Sequence, residues 1–321
     1  MQTRLLLGLL LAAVAVAPAA AQPQPYPAKP IHLVVGGAPG GGWDLAARVI
    51  ADKMTQQLGQ PVIIENKPGA DGILAAREVA AAASDGYTLM PAVSAQMTMN
   101  PVVQSKLPYD PFKSFEPVSL IGMYPLLVVA SPSLPVNNVR ELIAYSKSRP
   151  NGLDYGSGSS GFMYATELLK SLTGAELRRI PYKGSAQTVN ALLAGDVQVA
   201  IVDVAPALPQ VKAGKLKALA VTTPQRVSFL PDVPTVAESG VSGYDVVLWI
   251  GMYAPAGTPP EVVSRLQSSI AHAVEAPDVR DRLVGSGIVP ASSTPQALAE
   301  RMHRDIDQIT TMWKAGKLSA D

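Results

Sequence analysis

Two stretches of the chain share one layout, and that repeat constrains the fold more than any other feature. The apolar run Ile31–Val35 leads into Gly36-Gly37-Ala38-Pro39-Gly40-Gly41-Gly42 and then a helical pattern, Trp43–Leu58. Much later, Leu153–Tyr155 leads into Gly156-Ser157-Gly158-Ser159-Ser160-Gly161 and a second helical pattern, Phe162–Leu172. A strand feeding a glycine-rich loop that opens a helix leaves several backbone N–H groups unpaired at the positive end of a helix dipole. Such a loop holds an anion without a charged side chain. Two of them in one chain suggest two units gripping one anionic ligand from opposite sides.

The repeat extends beyond the loops. In the first unit, strand Val62–Glu65, the turn Lys67–Gly72, helix Ile73–Ala83 and strand Tyr87–Val93 follow. In the second, strand Leu177–Pro181, the turn Lys183–Ser185, helix Ala186–Leu193 and strand Val197–Val202 follow. Both read β-α-β-α-β, an α/β pattern that implies parallel sheets with helices on both faces. Right-handed crossovers put the strand C-terminal ends on one edge, where ligands of such sheets sit. Two apolar segments, Pro117–Ala130 and Val246–Tyr253, read as links between the units, and two links between two domains make a hinge. Beyond them, Thr258 before Pro259-Pro260 reads as one helix N-cap and Thr294 before Pro295 as another. Leu298, Met302, Ile306, Ile309 and Trp313 then mark an amphipathic helix that returns to the first domain.

The N-terminus reads as an export signal: Arg4, the apolar run Leu5–Ala17, and an A-x-A site at Ala19-Ala20-Ala21, so the mature chain starts at Gln22. The run is too short to span a bilayer. There is no cysteine, hence no disulfide framework, thiol nucleophile or lipidated cysteine. Without Arg4, 25 basic residues face 25 acidic ones, and no basic stripe invites nucleic acid.

The candidate site follows from the sheet edge. Gly41, Gly42 and Trp43 open the first helix. Asp44 sits in its first turn, where a carboxylate favours the dipole but would repel an anion unless turned away or bridged by water. Ala70 belongs to the second turn of the first unit and Ser94 follows its third strand. From the second unit come Ser157, Gly158, Ser159, Ser160, Gly161 and Phe162, then Tyr182 and Lys183, and Asp203, which either caps the next helix or accepts hydrogen bonds in the cleft. Gly156-x-Gly158-x-x-Gly161 matches the dinucleotide fingerprint literally, yet Tyr182-Lys183 stand where the ribose-binding acid belongs. No G-x-S-x-G frames a serine nucleophile. His32, His272 and His303 lack metal spacing, and Glu65, Glu78 and Glu167 have ordinary helix or strand explanations.

Ala38-Pro39-Gly40-Gly41-Gly42-Trp43-Asp44 with Arg48, Glu65-Asn66-Lys67-Pro68-Gly69-Ala70-Asp71-Gly72, Asp85-Gly86-Tyr87-Thr88, Phe115-Glu116-Pro117-Val118, Pro181-Tyr182-Lys183-Gly184, Leu193-Ala194-Gly195-Asp196 and Pro234-Thr235-Val236-Ala237-Glu238 together resemble one family. It is the Bug receptors, the extracytoplasmic solute receptors of tripartite tricarboxylate transporters. The resemblance implies a two-lobed type II periplasmic binding protein of a Gram-negative bacterium, with a hinge and an interlobe cleft. Lobe 1 comprises residues 22–124 with 247–321, lobe 2 residues 125–246, and residues 1–21 are the signal. It implies a monomeric periplasmic receptor, with no enzymatic activity, cofactor or metal. The receptor holds a small organic carboxylate through backbone amides and two bridging waters, then delivers it to a permease of one large and one small membrane subunit. Two departures flank the expected site. Trp43 replaces a threonine or serine, and Met163-Tyr164 replace a His-Leu pair before Glu167 in a shorter second loop. With Phe162 and Tyr164, Trp43 points to an aromatic or otherwise bulky carboxylate, since aromatic faces stack on aromatic ligands. An exported hydrolase of carboxylate esters and a dinucleotide enzyme are the alternatives; ester turnover or NAD binding would mark them.

Overall fold

The computed structural model describes residues 26–316 and residue 318. The export signal expected over residues 1–21 lies outside the described residues. The first repeat folds as β1 (Ile31–Val35), α1 (Gly42–Leu58), β2 (Val62–Asn66), α2 (Ile73–Ala80) and β3 (Thr88–Val93), with the tight turn Ala70–Gly72 ahead of α2. A π-helical turn, Ala95–Met99, and the short α3 (Asn100–Val103) follow β3. The long β4 (Phe115–Ala130) then runs out to α4 (Val139–Lys147) and the second repeat. That repeat is β5 (Leu153–Ser157), α5 (Ser160–Thr173), β6 (Leu177–Pro181), α6 (Ser185–Ala194) and β7 (Val199–Asp203). α7 (Val204–Lys212), β8 (Lys217–Val221), β9 (Val247–Pro255), α8 (Pro260–Glu275), α9 (Pro277–Gly285), β10 (Val289–Pro290) and α10 (Pro295–Lys314) complete the chain.

Within each repeat the strands are parallel: β1 lies between β2 and β3, and β5 between β6 and β7. At the crossing strands the expectation of parallel sheets fails. β9 is antiparallel to both β3 and β4, and β4 is antiparallel to β7 and β8. The reason is connectivity: β4 leaves the first lobe and β9 comes back, so two strands side by side must run in opposite directions. Phe115–Pro125 of β4 pair with β9, whereas Leu126–Ala130 pair with β7 and β8. One strand thus belongs to both lobes.

Both faces of each sheet are covered, which explains the near-continuous apolar strands. In β4, Leu126 and Val128 join the core with Tyr155 and Leu169, while Leu127 and Val129 face Leu192 and Val202. The first lobe buries Leu33, Ile50 and Leu266 on one face and Val79, Met90 and Trp249 on the other. α10 is not confined to the first lobe as its sequence position suggested. Leu298 and Met302 pack with Trp249 and Tyr253, but Ile309 and Met312 join the second lobe's core. A helix of 20 residues is about 30 Å long, enough to cross the junction.

Local expectations fared unevenly. Thr294 caps α10, accepting a hydrogen bond from the Ala297 N–H at 3.1 Å. Thr258 does not cap α8; its hydroxyl donates to the Pro255 carbonyl at 2.7 Å, and the helix starts at Pro260. α2 ends at Ala80, short of the expected Ala83, where the chain bends ahead of Gly86. α7 carries prolines at 206 and 209, which mask its helical pattern in the sequence.

Candidate functional site

The two glycine loops meet across the junction. The Ser160 hydroxyl at the start of α5 lies 3.3 Å from the Asp71 carboxylate of the first lobe and donates to it. Next to it, Gly161 approaches Leu248 and Ala95 so closely that a Cβ would lie 3.0 Å from the leucine and 3.8 Å from the alanine. The lobes are therefore in contact over the gap into which α1, α5 and α6 point their N-termini.

The first loop is built from backbone. α1 begins at the N-cap Gly41, and no side chain caps it. Asp44 does not face the gap. Its carboxylate, 1% exposed, accepts from the Gly40 N–H (2.9 Å), Arg48 Nε (2.8 Å) and Asn66 Nδ2 (2.8 Å). Burial alone would raise its pKa, but these donors, Arg48 foremost, outweigh it and hold the carboxyl below its ordinary value. The Asp44 carboxylate thus ties the loop to α1 and β2. Trp43 is engaged as well. Its indole N–H donates to the Pro91 carbonyl of β3 at 2.7 Å. The ring packs against Gly36, Gly37 and Gly72, where added Cβ atoms would fall 2.6, 3.1 and 2.8 Å from it.

Ala70 lies in a run of left-handed backbone. Gly69, Ala70, Asp71 and Gly72 all have positive φ, of 140°, 46°, 49° and 83°. Left-handed conformation costs a non-glycine residue about 1–3 kcal/mol and gathers at ligand sites and clamps. Two buried amides hold the turn from behind: Gln96 Nε2 donates to the Gly72 carbonyl at 2.9 Å, and Asn100 Nδ2 donates to that of Asp71 at 3.3 Å. Ser94, one residue ahead of the π-helical turn that carries Gln96, is buried, and its Oγ accepts weakly from the Trp249 N–H at 3.4 Å.

In the second lobe, the loops after β5 and β6 pack on each other. The Gly184 N–H donates to the Gly158 carbonyl at 2.9 Å, and a Cβ on Gly158 would lie 2.5 Å from Gly184 backbone atoms. The absence of a Cβ at Gly158 is therefore needed for the two loops to pack. Ser159 caps α5, its Oγ accepting from the Phe162 N–H at 3.3 Å, and the Ser157 hydroxyl donates to the Ser159 carbonyl at 3.2 Å. Phe162 is 5% exposed and lies in the second lobe's core with Leu169 and Tyr164, so its ring is packing rather than cleft lining. Tyr182 rests beside Gly156. Lys183 is exposed, and its N–H donates to Gln187 Oε1 at 2.7 Å. α6 starts at the N-cap Gly184 without a capping side chain.

Asp203 closes the gap at the end of β7. It occupies the N-cap position of α7 yet makes no capping bond; its Oδ2 accepts from the Ser185 hydroxyl at 2.8 Å. Burial pushes its carboxyl up to about 6, and the Ser185 bond opposes only part of that rise. Beside it, on the crossing strand, Tyr124 is buried, and its hydroxyl has no hydrogen-bond partner among the described residues. Sequence reasoning missed Tyr124, Gln96 and Asn100. Their signal was available only as polar atoms inside otherwise apolar segments.

A separate cavity of about 680 Å³ opens between α10, the turn after β3 and the loop after β8, lined among others by Arg301, Arg304, Asp305 and Arg226. It shares only Ser94 and Gly161 with the expected site. Two of its arginines are paired: Arg226 with Glu238 at 2.9 Å and Arg301 with Asp305 at 3.5 Å. The remaining chemical candidates are dispersed. Glu65 meets His32, Glu78 meets Lys67, Glu167 meets Tyr155 and Lys170, and His303 stacks on Phe112. Among the described residues no cluster of His, Cys, Asp or Glu is arranged to hold a metal, and no helix is long and apolar enough to cross a membrane.

Comparison with known proteins agrees with this geometry. The family described as "Tripartite tricarboxylate transporter family receptor" matches residues 46–316. Protein BugT of Bordetella pertussis is 35% identical over 273 residues, 84% of either chain. A Rhodopseudomonas palustris protein solved with adipate superposes with a TM-score of 0.84 at 34% identity, covering 92% of this chain and 99% of the other. MatC from the same organism, with bound malate, superposes with a TM-score of 0.78 at 33% identity, covering 89% and 99%.

Proposed function

The chain belongs to the tripartite tricarboxylate transporter receptor family, a family of periplasmic solute-binding receptors rather than enzymes, and from that premise we propose that it captures a small organic carboxylate between its lobes. The observation that carries the reading is the pair of helices α1 and α6, one from each lobe. Both start at glycine N-caps with no capping side chain, as does α2 at Gly72, whereas α4, α5 and α10 are capped by Asn138, Ser159 and Thr294. An anion between them satisfies orphan N–H groups and both dipoles. Lobe closure over the ligand follows the hinge mechanism, with β4 and β9 as hinge strands and boundaries at 124/125 and 246/247. The closed receptor, a monomer, then delivers the ligand to the large and small membrane subunits of its transporter.

The ligand we propose is a compact aliphatic mono- or dicarboxylate. An aromatic or bulky acid was expected on the strength of three rings. Trp43 is held by Pro91, and Phe162 and Tyr164 pack in the second lobe's core, so these rings serve packing as well. Relatives of this chain were solved with adipate and with malate. Calorimetric titration with malate, adipate, citrate, glutamate, benzoate and phthalate tests the proposal. Saturable one-site binding of an aliphatic acid is expected; tight binding of benzoate or phthalate alone would restore the aromatic reading, and no binding of any acid would overturn the function.

A further inference from the structure

We propose that Tyr124 reads the ligand from the hinge: its hydroxyl donates a hydrogen bond to a carboxylate oxygen seated on the N-terminus of α1. The inference rests on the gap being the ligand site, and it adds a contact from a strand that belongs to both lobes. The Tyr124 ring packs in the first lobe's core beside Ile50, Ile121 and Leu266, so the hydroxyl is fixed rather than swept along by the second lobe. It lies at the mouth of α1: a Cβ added to Gly42, the first residue of that helix, would be 3.0 Å from the oxygen. The lack of a side chain at Gly42 therefore lets the phenol oxygen come this close to the start of the helix.

The hydroxyl is fully buried and has no partner among the described residues. A buried donor left unpaired costs stability, and such exceptions call for a specific explanation. The Asp203 carboxylate, the nearby acceptor, accepts no hydrogen bond from the phenol; its Oδ2 takes the Ser185 hydroxyl. Burial, with the Asp203 charge as a second cause, keeps the phenol protonated far beyond neutral pH, so it faces the gap as a donor. A carboxylate oxygen on the α1 terminus meets backbone N–H groups and this O–H together. Charge-assisted bonds of that kind are the stronger ones. An ammonium group at the same point would meet donors only from these two elements. α1 and Tyr124 thus present donors to a carboxylate oxygen, and the Asp203 carboxylate stands on the second-lobe side.

The test is Tyr124→Phe, which keeps the ring and removes the one oxygen. Wild type and variant are titrated calorimetrically with the six acids above, and both are melted without ligand. The acid that binds wild type most tightly should bind the variant about tenfold more weakly or worse, while the unliganded melting temperature stays level or rises. Equal affinity, or a lower unliganded melting temperature, would overturn the inference and leave the receptor reading intact. If wild type binds none of the acids, the site reading fails and this inference fails with it.

Discussion

Replacing Asp203 by Asn should stabilise the unliganded protein above pH ~6, although it removes a charged group from a polar gap. The folded carboxyl titrates near 6 against an ordinary 3.8 because burial disfavours its ionised form. The native state therefore binds the proton more tightly than the unfolded chain. The resulting stabilisation is fully present below pH ~4 and is lost as pH rises through about 6. A shift of about two units at ~1.4 kcal/mol each corresponds to about 3 kcal/mol of lost stability at neutral pH. Asn keeps an oxygen to accept the Ser185 hydroxyl but buries an amide without an assigned partner, which gives back about 1–2 kcal/mol. The net gain expected is about 1–2 kcal/mol at pH ~7.5, turning into a loss of about 1–2 kcal/mol near pH 4, where only the amide penalty remains. Urea denaturation of both proteins across this range, without ligand, measures it. The difference between variant and wild type matters, because Asp44, held below its ordinary pKa, contributes a slope of opposite sign to both. A variant less stable than wild type by the same amount at every pH would refute the reasoning, since it would mean that ionised Asp203 has partners that stabilise its charge.

Two further substitutions separate fold from binding. Trp43→Phe removes the donor to Pro91 and should lower stability by about 1–2 kcal/mol in urea titration, with ligand affinity within about twofold of wild type; a large loss of affinity at unchanged stability would return Trp43 to the ligand. Gly158→Ala places a Cβ 2.5 Å from Gly184 backbone and should destabilise the second lobe by about 1–3 kcal/mol, seen as a lower urea midpoint; an unchanged midpoint with weaker binding would show that the space at Gly158 belongs to the ligand instead.

Much of the architecture was legible because it is local. Ile31–Val35 and Leu153–Ser157 are strands followed by glycine loops and helices, and the paired links Pro117–Ala130 and Val246–Tyr253 correspond to β4 and β9. What the sequence did not announce comes from contacts between residues distant in sequence. Asp44 is settled by Asn66 and Trp43 by Pro91, neither of which any spacing near α1 announces. Glycine at 158 marks a close approach, and the backbone that approaches it is that of Gly184. Tyr124 sits in an apolar run where periodicity offers no sign that its hydroxyl ends unpaired at Gly42. The direction of β9 depends on the chain's return between lobes, a property of the whole path rather than of the segment.

The account's central claim is that a carboxylate binds between the lobes on the uncapped start of α1. Parallel calorimetric titration of wild type and Gly42→Val tests it most directly, because a side chain there enters the space between Tyr124 and the helix terminus. The account predicts one-site binding of an aliphatic carboxylate to wild type and a loss of more than about tenfold, ~1.4 kcal/mol, in a variant whose urea midpoint is essentially retained. Equal affinity in the two proteins would contradict it and move the ligand away from the first glycine loop.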